Sequence, residues 1–114
     1  MTACQANISI KVERGATIFI FNDERLENQN LLDNTFEHIG HMAASTLVLN
    51  FRNVEDMSSF AIAKLVTLKK SVERARGQLF LCSINPSIME QFATMRMVKF
   101  FNIRETQEEI LKDS

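Results

Sequence analysis

Glycine, proline and cysteine are all scarce in this chain, which has three, one and two of them in 114 residues. Each scarcity removes a class of function. Gly15, Gly40 and Gly77 stand far apart, so the chain has neither a P-loop nor a dinucleotide fingerprint, both of which need clustered glycines to bring backbone N–H groups against phosphate. Cys4 and Cys82 do not make a disulfide framework, and two free thiols fit a reducing cytosol. No run of about 18 apolar residues occurs, so no membrane span is expected. The segment Met1–Asn7 lacks the basic start and apolar stretch of a signal peptide. A surplus of charge is missing as well: 13 basic against 14 acidic residues leave a formal charge of -1, which argues against broad electrostatic binding to nucleic acid or anionic membrane. A cytoplasmic protein with a protein or small-molecule partner is expected.

What is present is an apolar fraction of 46%, sufficient for a single domain over residues 1–114 that folds without metal or disulfide. Ile8, Ile10 and Val12 alternate with polar residues, Arg14-Gly15 supplies a turn, and Ala16–Phe21 is a second strand, together a hairpin. Leu31, Leu32, Phe36 and Ile39 predict a helix between Glu27 and Ile39, with Gly40 as its C-cap. Thr46–Phe51 reads as a buried strand. After it, Ala61, Leu65, Leu68, Val72 and Ala75 recur at helical spacing as far as Gly77. Gln78–Cys82 is another buried strand, so the intervening helix makes a crossover and the two strands should be parallel. Asn85-Pro86 starts a short helix carrying Ile88, Met89, Phe92 and Met95. Phe100, Phe101 and Ile103 suggest a last extended segment, and Thr106 with Glu109 forms a capping box for a final helix with Ile110 and Leu111. The predicted order is ββαβαβαβα, an α/β class.

Candidate chemistry is sparse. His38 and His41 have ligand-like spacing, but no Cys or carboxylate set completes a metal site. Cys82 lies inside an apolar run and reads as packing. Glu24 and Glu27 read as surface charges near a helix start. Phe92, Met95, Met97, Phe100 and Phe101 are dense enough that most must fill core, with an exposed contact patch as the alternative. No complete catalytic constellation is found, so the protein is not expected to be an enzyme, and no cofactor or metal is expected.

Ser58-Ser59 is the exception. Both fall at the N-terminus of the long helix and the carboxyl end of a strand, where open α/β sheets place functional groups. One serine suffices as an N-cap. A phosphate on the other would meet unpaired N–H groups and the positive helix end.

The run Leu47–Leu65, with Asn53-Val54-Glu55-Asp56-Met57-Ser58-Ser59-Phe60-Ala61 at its centre, resembles the core signature of STAS domains, the fold of bacterial anti-sigma factor antagonists. That signature is a buried strand, a turn, and Asp-Ser-Ser/Thr-Gly-Leu opening a helix. The similarity continues through Gly77–Cys82, Asn85–Ile88 and Thr94–Ile103. It implies a mixed sheet of about four to five strands with about four helices, the long one beginning at Ser58-Ser59. It further implies a partner switch. The unphosphorylated protein would bind an anti-sigma factor that is itself a serine kinase, phosphorylation of Ser59 would break the complex, and a phosphatase would restore it. By the same resemblance Asp23, Ser58, Ser59 and Phe60 belong to the partner-binding surface. Ser58 stands where the family usually has Asp, Phe60 where it has Ser or Thr, and Ala61 where it has Gly. A constitutive STAS adaptor or structural subunit of a signalling scaffold or transporter complex is the other function the resemblance allows.

Overall fold

The computed structural model describes residues 8–26, 29–41 and 45–112, the side chains of residues 29–32 excepted. Cys4, Glu27 and the expected contacts of Leu31 and Leu32 lie outside that description. Strands β1 (Ile8–Glu13) and β2 (Ala16–Phe21) pair antiparallel, Ile8 opposite Phe21 and Glu13 opposite Ala16. Arg14 and Gly15 turn between them at φ 50° and 81°, the left-handed backbone that lets a two-residue hairpin follow the twist of its strands.

The chain continues through β3 (Arg25–Leu26), α1 (Gln29–Gly40), β4 (Thr46–Asn50), β5 (Asp56–Met57), α2 (Ser59–Arg74), β6 (Gln78–Cys82), α3 (Pro86–Thr94), β7 (Asn102–Arg104) and α4 (Gln107–Lys112). The main sheet runs β1-β2-β4-β6-β7, with β1 antiparallel and the rest parallel. This is the mixed five-stranded, four-helix α/β arrangement expected, and the strands flanking α2 are parallel as the crossover required.

The two faces of the sheet are covered unequally. Phe19, Phe21, Leu47, Leu49, Leu79 and Leu81 point to one face, where they bury against Phe36 and Ile39 of α1, Ala61 to Val72 of α2, and Ile88 and Phe92 of α3. Phe21 stacks on Phe51 with ring centroids 5.2 Å apart. On the other face Ala16, Ile18, Ile20, Val48 and Cys82 are covered by Ile110 and Leu111 of α4. Both sides of β2 are therefore apolar and all six of its residues are buried, whereas β1, at the edge, is exposed from Ser9 to Glu13.

Three local expectations change. The two-residue strands β3 and β5, which pair parallel, were not foreseen, because two residues are too few to show alternation. Gly40 is the last helical residue of α1 rather than its left-handed cap, and His41 closes the end by donating to Glu37 and His38 carbonyls. At the end of α2 the left-handed residue is Arg76, φ 64°, not Gly77. The Gly77 N–H donates to the Val72 carbonyl at 2.8 Å and the Arg76 N–H to that of Glu73 at 3.0 Å, a Schellman closure with arginine at the position glycine favours. This ends the apolar stripe at Val72, so Ala75 is exposed, while Ile62 and the stem of Lys69 are buried.

Candidate functional site

The carboxyl ends of the parallel strands and the amino ends of α2 and α3 meet on one side of the molecule. There the segment from Phe51 to Ser58 crosses from β4 to α2, and backbone pairing fixes its path. From one flank the Glu24 carbonyl accepts from the N–H groups of Glu55 (2.7 Å) and Asp56 (3.0 Å), and the Leu26 carbonyl accepts from Ser58 N–H (3.0 Å). Asn53 donates its amide to the side-chain oxygen of Asn22 at 3.0 Å, and Asn22 donates to the Ser9 hydroxyl at 2.9 Å. From the other flank the Asn85 amide donates to the carbonyls of Val54 (3.1 Å) and Glu55 (3.2 Å), and Gln91 donates to that of Met57 (3.1 Å).

Apolar anchors complete the placement. Val54 and Met57 are buried in the core, so the segment dips inward at those two residues and lifts Glu55, Asp56 and Ser59 outward, all three exposed. Beneath it, Asn50 is only 3% exposed; its amide donates to Gln107 at 3.0 Å and its oxygen accepts from Arg52 N–H at 2.9 Å. That pairing satisfies a buried amide and ties α4 to the end of β4.

The two serines divide the work at the start of α2. Ser58 has extended backbone and its hydroxyl accepts from Ala61 N–H at 3.1 Å, so Ser58 is the N-cap. Where the family pattern has Asp, serine and aspartate are near-equal caps; the substitution removes a charge and keeps the cap. Ser59 is the first residue of the helix. Its side chain is exposed, and the N–H groups of Ser59 and Phe60 have no acceptor within the helix. Ser59 opens onto a shallow depression shared with Glu90, Gln91, Thr94 and Met95.

Phe60 is half-buried against the main core, with the Lys64 ammonium 5.4 Å from its ring centroid and Lys64 paired to Asp33 of α1. Ala61 is fully buried and takes an ordinary helical backbone, so the glycine of the family pattern is not required here. Asp23 is half-buried in the 22–26 segment that joins the Ser59 loop through Asn22 and Glu24. Asn85 had been legible only as a cap: it accepts from Ile88 N–H at 2.8 Å, and its second role as a clamp on Val54 and Glu55 depends on residues some thirty positions away.

The remaining candidates settle differently. His38 donates from Nδ1 to the Asn34 carbonyl at 2.9 Å, a bond within its own helix, and no cluster of three or more metal-ligating side chains occurs among the described residues. Phe92 and Phe101 are buried and stack at 5.5 Å, Met97 and Phe100 are half-buried, and Met95 is exposed. Cys82 is fully buried, and burial pushes its thiol up to about 11 from 9.0. The native state therefore holds the thiol proton after the unfolded chain has lost it. Stability is expected to fall as pH rises from about 9 toward 11, with thiol reagents reaching Cys82 only on unfolding; a flat alkaline stability profile would contradict this.

Among the described residues no helix is long and apolar enough to cross a membrane. The family model of the STAS domain matches residues 4–110. No curated protein matches the sequence. Among solved structures, an anti-sigma-factor antagonist (STAS) domain protein from Planctomyces limnophilus is 19% identical with a TM-score of 0.79, covering 95% of this chain and 97% of its own. A putative anti-sigma factor antagonist from Thermotoga maritima is 20% identical at TM-score 0.80, covering 93% and 92%. The unphosphorylated form of the anti-sigma factor antagonist SpoIIAA is 15% identical at TM-score 0.77, covering 94% and 95%.

Proposed function

The chain belongs to the STAS domain family, and from that premise we propose that it is a bacterial anti-sigma factor antagonist that works by partner switching. In this reading the surface around Asp23, Ser58, Ser59 and Phe60 binds an anti-sigma factor with serine kinase activity, phosphorylation of Ser59 ends the complex, and a phosphatase restores it. The kinase and its nucleotide belong to the partner. This chain works in the cytoplasm, performs no catalysis and needs no cofactor.

The observation that carries the reading is the division between the serines. Ser58 holds the cap, which leaves the exposed Ser59 hydroxyl out of the helix's hydrogen bonding and available for transfer. A phosphate on Ser59 adds about 1.5 to 2 negative charges next to two unsatisfied helix N–H groups, which tolerate it. The same charge arrives beside Glu90 in the shared depression, with exposed Glu55 and Asp56 on the preceding loop. The fold thus accepts the modification while the surface presented to a partner becomes much more negative.

The test is intact-mass and peptide mapping after incubation with the cognate kinase and ATP, alongside pull-down of the anti-sigma factor by wild type, Ser59→Ala and Ser59→Asp. Modification at Ser59, binding by Ser59→Ala and loss of binding by Ser59→Asp at an unchanged melting temperature are expected. Phosphate found solely on another residue, or binding indifferent to both substitutions, would reject the switch, the second result favouring a constitutive adaptor.

A further inference from the structure

Beside the depression that holds Ser59 lies a second one, of about 320 Å³, lined by Ala93, Arg96, Val98 and Lys99. Met95, 41% exposed, lines the Ser59 depression and directly precedes Arg96, so the two depressions meet at that pair of residues. The second has an apolar floor and a basic rim: Val98 is half-buried against the main core, and Arg96 and Lys99 are exposed. Among the described residues no carboxylate lines it, whereas Glu90 lines the Ser59 depression. Lys69, whose ammonium lies over the ring of Phe100 next to Lys99, is already neutralised by Glu73. Neither Arg96 nor Lys99 has an ion pair among the described residues. Arg96 also takes left-handed backbone, φ 59°, where glycine fits with less strain, so its guanidinium is kept where backbone strain alone favours its loss.

We propose that this second depression receives an acidic segment of the anti-sigma factor, with carboxylates for Arg96 and Lys99 and an apolar side chain for Met95 and Val98. The proposal rests on the function given above and adds the chemistry of the partner at the same site. Two unpaired cations around an apolar floor fit carboxylates on a segment that also carries apolar groups; a bare polyanion has nothing to set against Val98 and Met95. The direction of the switch follows from the sign of the segment. A phosphate on Ser59 has the charge of the carboxylates it faces, so it repels them and competes with them for the Arg96 guanidinium. A basic segment would be held more tightly by the phosphate and could not be released by it.

The experiment measures affinity of the unphosphorylated full chain for the anti-sigma factor, with charge changes at the second depression and melting temperature as the control for folding. Arg96→Glu and Lys99→Glu should each weaken binding roughly tenfold or more, and the double variant should lose most of the salt dependence of wild type. Arg96→Gly and Arg76→Gly form a matched pair, since each removes a guanidinium and relieves left-handed backbone, but Arg76 lies beyond the opposite end of α2. Only Arg96→Gly should weaken binding. Affinity indifferent to both reversals, or lowered equally by the two glycine variants, overturns the proposal. Loss of binding on Ser59→Asp with silent reversals keeps the switch and removes this surface; the converse keeps the surface and removes the switch. A second arm needs no anti-sigma factor: an alternating Glu-Leu peptide added to the labelled chain should shift the amides of residues 93–100, and its Lys-Leu counterpart should leave them unmoved. Equal shifts with both peptides overturn the proposal. Shifts with the Glu-Leu peptide alone, in a chain that binds no anti-sigma factor, retain the acidic-segment surface and reject the function given above.

Discussion

The two ends of α2 are built by different means. Its amino end is held by groups distant in sequence: Leu26 bonds Ser58, Asn85 bonds Val54 and Glu55, and Gln91 bonds Met57. Its carboxyl end closes on itself, with Arg76 and Gly77 donating to carbonyls of the last turn, and α3 ends the same way at Arg96 and Met97. An end tied to β3 and α3 keeps its geometry when a surface residue on it is changed. A self-closed end needs only local backbone conformation. On the function proposed above, the amino end carries the exchangeable group at Ser59, and the carboxyl end is where stability can be adjusted away from it.

That contrast is open to attack at several strengths. Asn85→Ala removes a helix cap and two bonds to the Ser59 loop, and should cost about 2 to 3 kcal/mol in urea denaturation while increasing amide exchange at residues 54–57; a loss well under 1 kcal/mol would mean that the clamp is unimportant. Ser58→Ala should cost about 1 kcal/mol. Ser59→Ala should stay within about 0.5 kcal/mol; equal losses at both serines would erase the division of labour between them. Ser58→Asp should preserve the cap and gain about 0.3 to 1 kcal/mol from the helix dipole. The smallest changes belong to the other end. Arg76→Gly and Arg96→Gly relieve left-handed backbone at φ 64° and 59°, and each should gain about 0.5 kcal/mol, the relief being partly offset by glycine's greater freedom in the unfolded chain. Losses at both would show that the arginine side chains make stabilising contacts that outweigh backbone strain.

The elements legible in the sequence were those whose signal lies within a few residues. The alternation of Ile8, Ile10 and Val12, the apolar run Gln78–Cys82 and the Asn85-Pro86 start each became the element expected. Glu109 N–H does donate to the Thr106 hydroxyl, at 3.2 Å. Helix ends are less legible, because glycine is the usual marker while arginine occupies the left-handed position in both Schellman closures. Lys69 defeated the polarity pattern for another reason: its ammonium pairs with Glu73 and lies 4.9 Å from the Phe100 ring centroid, so its stem is buried although its charge is not lost.

By itself the sequence determined the α/β order, the parallel crossover through α2 and the placing of two serines at a helix start, because periodicity, caps and turn residues act over one or two helical turns. It also supplied the resemblance that singled out Ser59. Only the tertiary structure decided which serine is occupied as a cap and which is exposed, and only it brought the Asp23 segment and α3 against the loop between β4 and α2. The second outcome rests on hydrogen bonds between residues some thirty positions apart in the chain, whose partners become neighbours only once the sheet has set its strand order.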